Sequence, residues 1–391
     1  MILKERKRVI INFLIIIQEL KMKKVGIITM HQVRNYGSFA QAYATCRSIE
    51  KLGYETELID YKYPNKAHAA KKSIIGEVLH LANLMTKSLI PGRPHLEFEK
   101  HYLEAYKTYY KLSKAYNTRD EIIADPPKYD IYVVGSDQVW NDTYINTDDT
   151  FFLGFAPVNA KKIAFASSFG ETQVKKCNES FYREKLNSLK KIAVREISGV
   201  ELVENLTERD DIEKVLDPTF LLNSDEWRKI SIPFTRAKRP YIFVYGSHCR
   251  KYMLNTARKI ADKKGWDVYT VNGTIVNYYS KEAHCLLDIG PREWMGLIDN
   301  AELVFSCSFH GVAFSIQFNT PFFAIFKGEE QYDSRVSSFL TEISLEKHRL
   351  LAGTEDIILD NAYEMNWDRV NNMIDIKRKA SYEVLRDFLS C

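Results

Sequence analysis

The residues best suited to chemistry lie at Ser306 to Gly311, where a predicted strand gives way to a helix. The strand Leu303–Ser306 ends there, and His310-Gly311 stands where the helix begins. Free N–H groups and the helix dipole favour an anion at such a turn, and glycine permits its close approach. Histidine can transfer a proton near neutral pH. We therefore predict an anion site that includes Ser308 and Gly311, with His310 as a catalytic residue; the alternative is a packing or capping histidine.

Two loops after predicted strands carry side chains that suit sugars. Asn35-Tyr36-Gly37-Ser38 follows the strand Val25–Thr29, and Gly135–Asn141 follows Tyr129–Val134. Amide, hydroxyl, carboxylate and indole groups hydrogen-bond to hydroxyl-rich rings or stack on them. Both loops could instead be structural turns with a capping Asp. The candidate acceptor-binding residues in these loops are Asn35, Ser38, Gln138, Trp140 and Asn141.

Several cationic side chains are candidates for an anion pocket. Arg195 ends the predicted strand Lys191–Val194, where a guanidinium can bind a carboxylate or phosphate through two hydrogen bonds. The alternative is a surface pair with Glu196, which would contribute little. Lys327 and Arg335 follow the last predicted strand, and either could complete the pocket or lie on a solvated helix face.

The elements that must position these residues form two βαβ-type units, each with a parallel sheet. The first domain spans residues 22–215 and includes a helical insertion at about 64–128. The second spans 216–391 and ends with a closing C-terminal helix at 364–388, and Leu216-Asp217-Pro218-Thr219 resembles a hinge. The predicted fold class is α/β, with two domains facing a cleft, and ligands favour such interfaces.

The first 21 residues form a separate N-terminal extension in this interpretation. Four basic residues precede the apolar run Val9–Ile17, which is shorter than the ~20 residues that span a bilayer. No signal-peptide cleavage pattern follows. Either Met22 is the true start, or the extension is a membrane-surface anchor.

Composition excludes several classes of protein. The chain has 391 residues and a net charge of only +4, which argues against a dedicated nucleic-acid binder. Its 6 cysteines form no CxxC, which favours a reduced, cytoplasmic protein. GxGxxG, P-loop, HExxH and DxD patterns are missing from the sequence, so we predict no dinucleotide cofactor and no metal site.

The order of the motifs resembles the polysaccharide pyruvyl transferase family over about residues 23–350. The resemblance implies two Rossmann-like domains, similar to GT-B glycosyltransferases. It also implies transfer of the pyruvyl group of phosphoenolpyruvate onto a glycan sugar as a ketal, with release of phosphate. The matching segments are Asn35-Tyr36-Gly37-Ser38 with Gln41-Ala42-Tyr43, Gly135–Asn141, Ala166 with Ser168-Phe169-Gly170, Arg195-Glu196, Asp217-Pro218-Thr219, and Ser308-Phe309-His310-Gly311 with Pro321.

The resemblance also implies roles for single residues. His310 would contact phosphoenolpyruvate and act in acid/base catalysis, and Arg195 would bind the anionic groups of this donor. The family carries an arginine two residues before the histidine, where this chain has Ser308. Arg335, Lys327 or Arg349 could supply the missing guanidinium. Asp137 would orient or deprotonate the acceptor, and phosphoenolpyruvate would be a co-substrate in a scheme that requires no cofactor or metal.

The expected partners are phosphoenolpyruvate and a glycan or lipid-linked oligosaccharide. A lipid-linked acceptor would place the cytoplasmic protein at the inner face of the membrane, where the predicted helix Ser73–Leu89 could make peripheral contact. Two other functions are consistent with the sequence. One is a GT-B glycosyltransferase that uses a nucleotide sugar, and the other is a non-catalytic glycan-binding protein.

Overall fold

A computed structural model describes residues 22–62, 85–86, 90–145, 147–271, 273, 275–328, 330–353 and 359–390. The predicted extension 1–21 lies outside the described residues, as does the predicted helix Ser73–Leu89 apart from residues 85–86.

The first sheet contains six parallel strands in the order β2-β1-β3-β4-β5-β6. The central strand Ile131–Val134 is buried along its whole length, and its neighbours are buried after their first one or two residues, because helices cover both faces of the sheet. The strands are β1 (Lys24–Ile28), β2 (Glu55–Leu58), β3 (Ile131–Val134), β4 (Lys161–Ser167), β5 (Lys191–Val194) and β6 (Ile212–Lys214). The helices of this half are α1 (Tyr36–Glu50), α2 (Pro94–Tyr109), α3 (Arg119–Ala124), α4 (Asp142–Ile145), α5 (Glu179–Asn187) and α6 (Ile197–Thr207).

The second sheet also has six parallel strands, in the order β12-β11-β10-β7-β8-β9. Counted from its first strand, this is the Rossmann order. The strands are β7 (Tyr241–Tyr245), β8 (Asp267–Val271), β9 (His284–Leu286), β10 (Leu303–Ser306), β11 (Phe322–Phe326) and β12 (Arg349–Leu351). The helices are α7 (Ser224–Arg228), α8 (Arg250–Lys264), α9 (Ile275–Tyr279), α10 (Pro291–Asp299), α11 (Phe309–Phe318), α12 (Glu330–Glu342) and α13 (Trp367–Ser390).

The chain order reverses within each sheet at one place, between β1 and β3 in the first and between β7 and β10 in the second. In open α/β sheets, ligands bind at the carboxyl ends of the strands beside such a reversal. The predicted pair of Rossmann-like domains facing a cleft is confirmed, and the two reversals define where its site should lie.

The described part of the insertion packs between the halves of the molecule. α2 has Pro94 in its first turn, and its Tyr102 stacks on Tyr36 of α1 with ring centroids 5.8 Å apart. Tyr36 in turn stacks on Trp294 of α10 at 5.4 Å, and its hydroxyl donates to the carbonyl of Ile289 at 3.0 Å. These aromatic contacts join α1 and α2 to the second half and fix one side of the cleft.

The final helix, α13, contacts the first half of the molecule as well as the second, where its Lys377 pairs with Glu342 of α12. Its Leu389 carbonyl accepts hydrogen bonds from the Tyr54 hydroxyl at 3.0 Å and from Lys161 Nζ at 2.9 Å, both in the first half. Ser381 Oγ accepts from the backbone N–H of Leu216 at 2.9 Å, in the connection between the sheets. The predicted closing helix therefore also packs across the segment that connects the two sheets.

Candidate functional site

The loops at the two reversals face each other across a cavity of about 590 Å³. This volume suits a small-molecule ligand. Its walls come mainly from the segments that follow β1, β3, β7 and β10, with single residues of α4, β8 and α12. The polar and charged lining residues are Asn35, Ser38, Asp137, Gln138, Tyr144, Ser247, His248, Arg250, Cys307, Ser308, His310 and Arg335.

Arg195 lies directly behind this lining and is 7% exposed. Its Nε donates to Glu196 at 2.8 Å and its Nη1 to Asp217 at 2.6 Å. Burial opposes the charge, but the carboxylate partners raise the pKa of the guanidinium overall. Nη2, in contrast, is buried and has no hydrogen-bond partner among the described residues. A buried donor that forms no hydrogen bond lowers the stability of the fold, so we expect Nη2 to have a bound partner.

Asp217 is a second counter-ion of Arg195, beside Glu196. Its Oδ1 accepts from the backbone N–H of Thr219 at 3.0 Å and from the Thr219 hydroxyl at 2.7 Å. Burial alone would raise the pKa of Asp217, but the charge of Arg195 and these bonds keep it lowered. The predicted hinge segment is thus also a support of the site.

Asp137 follows β3 and lines the cavity. Its Oδ2 accepts from Ser38 Oγ at 2.8 Å, and its Oδ1 lies 3.6 Å from Nη2 of Arg195. Burial would raise the pKa of Asp137, but the charges of Arg195 and His310 and the Ser38 bond lower it. The carboxylate is therefore ionised at neutral pH, and it is better suited to orienting a hydroxyl or stabilising positive charge than to accepting a proton.

His310 lies in the first turn of α11 and is 8% exposed. Its Nε2 is 3.9 Å from Oδ2 of Asp217, beyond hydrogen-bond distance, and has no partner among the described residues. Burial lowers the pKa of His310, although the two nearby aspartates oppose this shift. The imidazole is therefore neutral at pH 7 and able to accept a proton.

The N-terminus of α1 packs against the His310 ring. Asn35 caps this helix, and its Oδ1 accepts from the N–H groups of Gly37 at 2.8 Å and Ser38 at 3.2 Å. A Cβ at Gly37 would stand 2.0 Å from His310 Nδ1 and 2.3 Å from its Cγ. Only glycine at this position leaves room for the imidazole where it stands.

We expect Gly37→Ala to lower stability by about 1–3 kcal/mol, because the added methyl group overpacks a closed contact. The displaced His310 ring should also show a changed NMR signal. Gly199→Ala is the matched control, since its Cβ would come no closer than 3.3 Å to Val194. Equal thermal shifts for the two variants would contradict this account of Gly37.

Arg335 projects into the cavity from α12. Its Nε is buried without a partner among the described residues. With the Gln138 amide oriented so that its oxygen faces α12, that oxygen accepts from Arg335 Nη1 at 2.8 Å. Burial and the neighbouring charge of Arg195 lower the pKa of the Arg335 guanidinium. The guanidinium groups of Arg195 and Arg335 repel each other, and an anion bound between them would relieve that repulsion.

Ser308 is the N-cap of α11, and its side chain makes no capping hydrogen bond. The helix dipole at this end faces the cavity beside His310 and favours negative charge. Gly311 has a different role from the predicted one. A Cβ there would stand 2.2 Å from Ser306 Oγ, so this glycine allows α11 to pack on β10.

The structure does not bring all of the predicted residues to the cavity. Trp140 is fully buried, donates to the Phe151 carbonyl at 2.9 Å and stacks on Phe152 at 5.6 Å. Asn141 is 3% exposed and its Oδ1 accepts from the backbone N–H of Thr143 at 3.0 Å. Lys327 is exposed beyond the end of β11 and is not part of the lining. Trp140 and Asn141 thus shape the loop that presents Asp137.

Sequence reasoning missed several residues of the site. Arg250, His248 and Ser247 line the cavity from the loop after β7, and the exposed Tyr144 lines it from α4. β7 ends beside a chain reversal of its sheet, and that position could have indicated Arg250, His248 and Ser247 as site residues. Arg349, the third candidate for the missing guanidinium, begins β12 and lies over the Phe326 ring.

Two further properties concern the described residues only. They include no group of three or more His, Cys, Asp or Glu side chains placed to hold a metal ion. None of their helices combines the length and apolar character needed to cross a bilayer.

The fold and site define a two-domain α/β protein whose cleft, at the carboxyl edges of both sheets, is lined by arginine, aspartate and histidine side chains. The sequence profile of the polysaccharide pyruvyl transferase family matches residues 35–325. The chain therefore belongs to this transferase family, and the resemblance inferred from its motifs is confirmed. No curated protein matches the sequence.

Solved structures match at low identity. UDP-GlcNAc 2-epimerase from Neisseria meningitidis, bound to UDP-GlcNAc, is 12% identical over 94% of this chain and 99% of that one, with a TM-score of 0.47. UDP-GlcNAc 2-epimerase from Methanocaldococcus jannaschii is 11% identical over 90% and 92%, with a TM-score of 0.45. The heptosyltransferase WaaC of E. coli, with ADP, is 11% identical over 90% and 99%, with a TM-score of 0.38.

Proposed function

We propose that this protein transfers the pyruvyl group of phosphoenolpyruvate to two hydroxyls of a glycan sugar, forming a ketal and releasing phosphate. The observation that carries the proposal is a group of unpaired nitrogen atoms that lie in the cavity lining or, for Arg195, directly behind it. Arg195 Nη2, Arg335 Nε and His310 Nε2 are all buried, and each lacks a hydrogen-bond partner among the described residues. Phosphoenolpyruvate carries a carboxylate and a phosphate, and both match guanidinium donors.

Arg335 supports the proposal at the point where the chain departs from the family. The family arginine two residues before the histidine is Ser308 here, so α11 supplies one guanidinium fewer. Arg335 enters the same cavity from α12, where its charge contributes to the lowered pKa of His310 and the charge of Arg195 contributes to the lowered pKa of Arg335. We assign Arg335 the missing charge; Lys327 and Arg349 lie outside the lining.

The proposed steps follow from these positions. His310, protonated when the donor binds, gives its proton to the methylene carbon, which becomes a methyl group, and His310 is left neutral. Positive charge develops on the adjacent carbon beside ionised Asp137. A sugar hydroxyl attacks that carbon and loses its proton to neutral His310. The carbon–oxygen bond to phosphate then breaks, a second hydroxyl of the same sugar attacks, and its proton is released. Phosphoenolpyruvate is the only co-substrate that this scheme uses.

Thermal shifts with phosphoenolpyruvate test the donor. At 100 times its dissociation constant, a ligand adds about 2.7 kcal/mol of stability. We expect wild type to be stabilised by phosphoenolpyruvate and Arg335→Gln to lose most of that gain, because a charge-assisted bond is worth about 1.5–3 kcal/mol. Lys327→Gln, which removes a nearby exposed charge, should keep it. Stabilisation by nucleotide sugars alone would favour a glycosyltransferase, and stabilisation by glycans alone would favour a binding protein.

A further inference from the structure

Tyr245 is a buried tyrosine of the cavity wall that the proposed steps leave without a role. It ends β7, is 7% exposed and lines the cavity beside α11. Other buried tyrosines donate to backbone carbonyls, as Tyr241 does to Leu297 at 2.9 Å. Among the described residues, the Ser308 side chain is the one hydrogen-bonding group that acts on the Tyr245 phenol. A buried hydroxyl in this position has bonding capacity left for a ligand.

Packing fixes the Tyr245 ring in place. Its centroid lies 5.2 Å from that of Trp294 and 5.9 Å from that of Tyr36. A Cβ at Gly311 would stand 2.7 Å from its Cδ1, so the ring lies directly against the first turn of α11. Its hydroxyl is therefore held beside the Ser308 side chain, at the N-cap of that helix. A hydrogen-bond donor that is already in place loses little conformational entropy when a ligand binds.

The hydroxyl of Tyr245 stays a hydrogen-bond donor at neutral pH. Burial raises the pKa of its phenol, and the Ser308 hydroxyl opposes that rise only in part. A hydroxyl that lowers the pKa of a phenol donates to the phenol oxygen, since this bond favours the charged form. In that arrangement the O–H of Ser308 points at Tyr245, and the O–H of Tyr245 is left for the cavity.

The N-terminus of α11 suits the phosphoryl end of the donor. This helix has 10 residues, and the free N–H groups of its first turn favour a multiply charged tetrahedral anion. The neighbouring His310 Nε2 is buried and lacks a partner among the described residues, which independently indicates a ligand at this end. The planar carboxylate matches the forked guanidinium groups of Arg195 and Arg335 instead. Where the family carries an arginine, the short Ser308 leaves the Tyr245 hydroxyl at the cavity.

We propose that the Tyr245 hydroxyl binds the phosphoryl group of the donor, together with the N-terminus of α11, so that the carboxylate faces Arg195 and Arg335. This inference rests on the proposed function for the identity of the donor, but the phosphoryl subsite at Tyr245 does not. A neutral phenol and a helix terminus then hold the group that leaves, while the guanidinium groups hold the group that stays. Phosphate can therefore depart without breaking an ion pair to either arginine.

Titration calorimetry with phosphoenolpyruvate on the full chain compares Tyr245→Phe with Tyr241→Phe. Both variants keep the aromatic ring and lose one hydroxyl from the same strand, but only Tyr245 lines the cavity. We expect Tyr245→Phe to weaken binding about 10-fold, as loss of a bond to a charged group predicts, and Tyr241→Phe to change it less than ~2-fold. Melting temperatures without ligand show whether each variant is folded. Equal affinities of wild type and Tyr245→Phe would overturn the inference.

Inorganic phosphate and pyruvate test which end of the donor Tyr245 binds. The phosphorus NMR signal of phosphate and the methyl NMR signal of pyruvate report weak binding directly. We expect Tyr245→Phe to weaken phosphate about 10-fold and pyruvate less than ~2-fold, and Arg335→Gln to show the opposite order. The reverse pattern, with only pyruvate weakened by Tyr245→Phe, would overturn the assignment of the two ends. If Tyr245→Phe does not fold, Ser308→Ala replaces it, since the Ser308 side chain makes no capping bond, and phosphate should again be the weakened ligand.

The outcomes separate this inference from the proposed function. If phosphate binding depends on Tyr245 but phosphoenolpyruvate does not bind, the proposed function fails and the phosphoryl subsite stands. If phosphoenolpyruvate binding depends on Arg335 but not on Tyr245, the phosphoryl subsite fails and the proposed function stands.

Discussion

Replacing His310 by Gln is expected to slow ketal formation by about 10²–10⁴-fold, the usual contribution of a positioned proton-transfer group. Glutamine keeps an N–H donor in the cavity but cannot take a proton from the sugar hydroxyl. Phosphate release from phosphoenolpyruvate measures the rate with any acceptor that supports turnover by wild type. His284→Gln is the control, because His284 is 60% exposed and stacks on Tyr269 away from the cavity.

The same residue predicts a proton linked to donor binding. Burial lowers the pKa of His310, so the imidazole is neutral at pH 7 before the donor arrives. An anion beside Nε2 favours the protonated form, so the pKa rises on binding and a proton is taken up. Calorimetry in two buffers of different ionisation enthalpy counts that proton.

We expect a larger proton uptake in wild type than in His310→Gln, and the difference isolates the contribution of His310. Equal uptake in both proteins, with equal rates of phosphate release, would remove His310 from the proton-transfer step. A lower rate with equal uptake would leave it only a positioning role.

The interior of each sheet was predictable from the sequence, and three of the four edge strands were not. β5, β7 and β10 have the predicted bounds, because each is a buried apolar run flanked by polar residues. β6, β9 and β12 are edge strands of 3 residues each, too short to show a periodic pattern. The site followed from the same logic, since the carboxyl ends of parallel strands meet at one edge of the sheet.

The residue types in a loop do not reveal which of its side chains face the cavity. Asp137 has φ of +71°, in the left-handed region that few residues other than glycine adopt. This backbone turn presents Asp137 to Ser38 and directs Trp140, three residues later, into the core. Asp217 was predicted only as part of a hinge and of a family motif, and its pairing with Arg195 was missed for a related reason. Its partner Arg195 is 22 residues away in sequence, and only the folded sheet brings them together.

The second large effect is expected from Arg195→Met, which removes the central charge of the buried network. Asp217 and Glu196 would then remain buried without their shared cation, and breaking such a pair costs about 3–5 kcal/mol. For a domain of this size the melting temperature should fall on the order of 10 °C. Arg258→Met is the control, because it breaks an exposed pair with Asp262 that is worth about 0–1 kcal/mol.

The sign of the pH dependence separates loss of charge pairing from loss of packing. In wild type the pKa of Asp217 is lowered, so its contribution to stability is present above its ordinary pKa and is lost as pH falls. Without Arg195, burial dominates and raises that pKa, so the variant loses stability as pH rises. The difference in melting temperature between wild type and variant should therefore be larger at pH 8 than at pH 5.

Adding Asp217→Asn to Arg195→Met should recover part of the loss, because the uncompensated charge is gone. If the difference in melting temperature is the same at both pH values and is unchanged by Asp217→Asn, then Arg195 stabilises the fold by packing, through contacts such as that with the Phe309 ring at 5.1 Å.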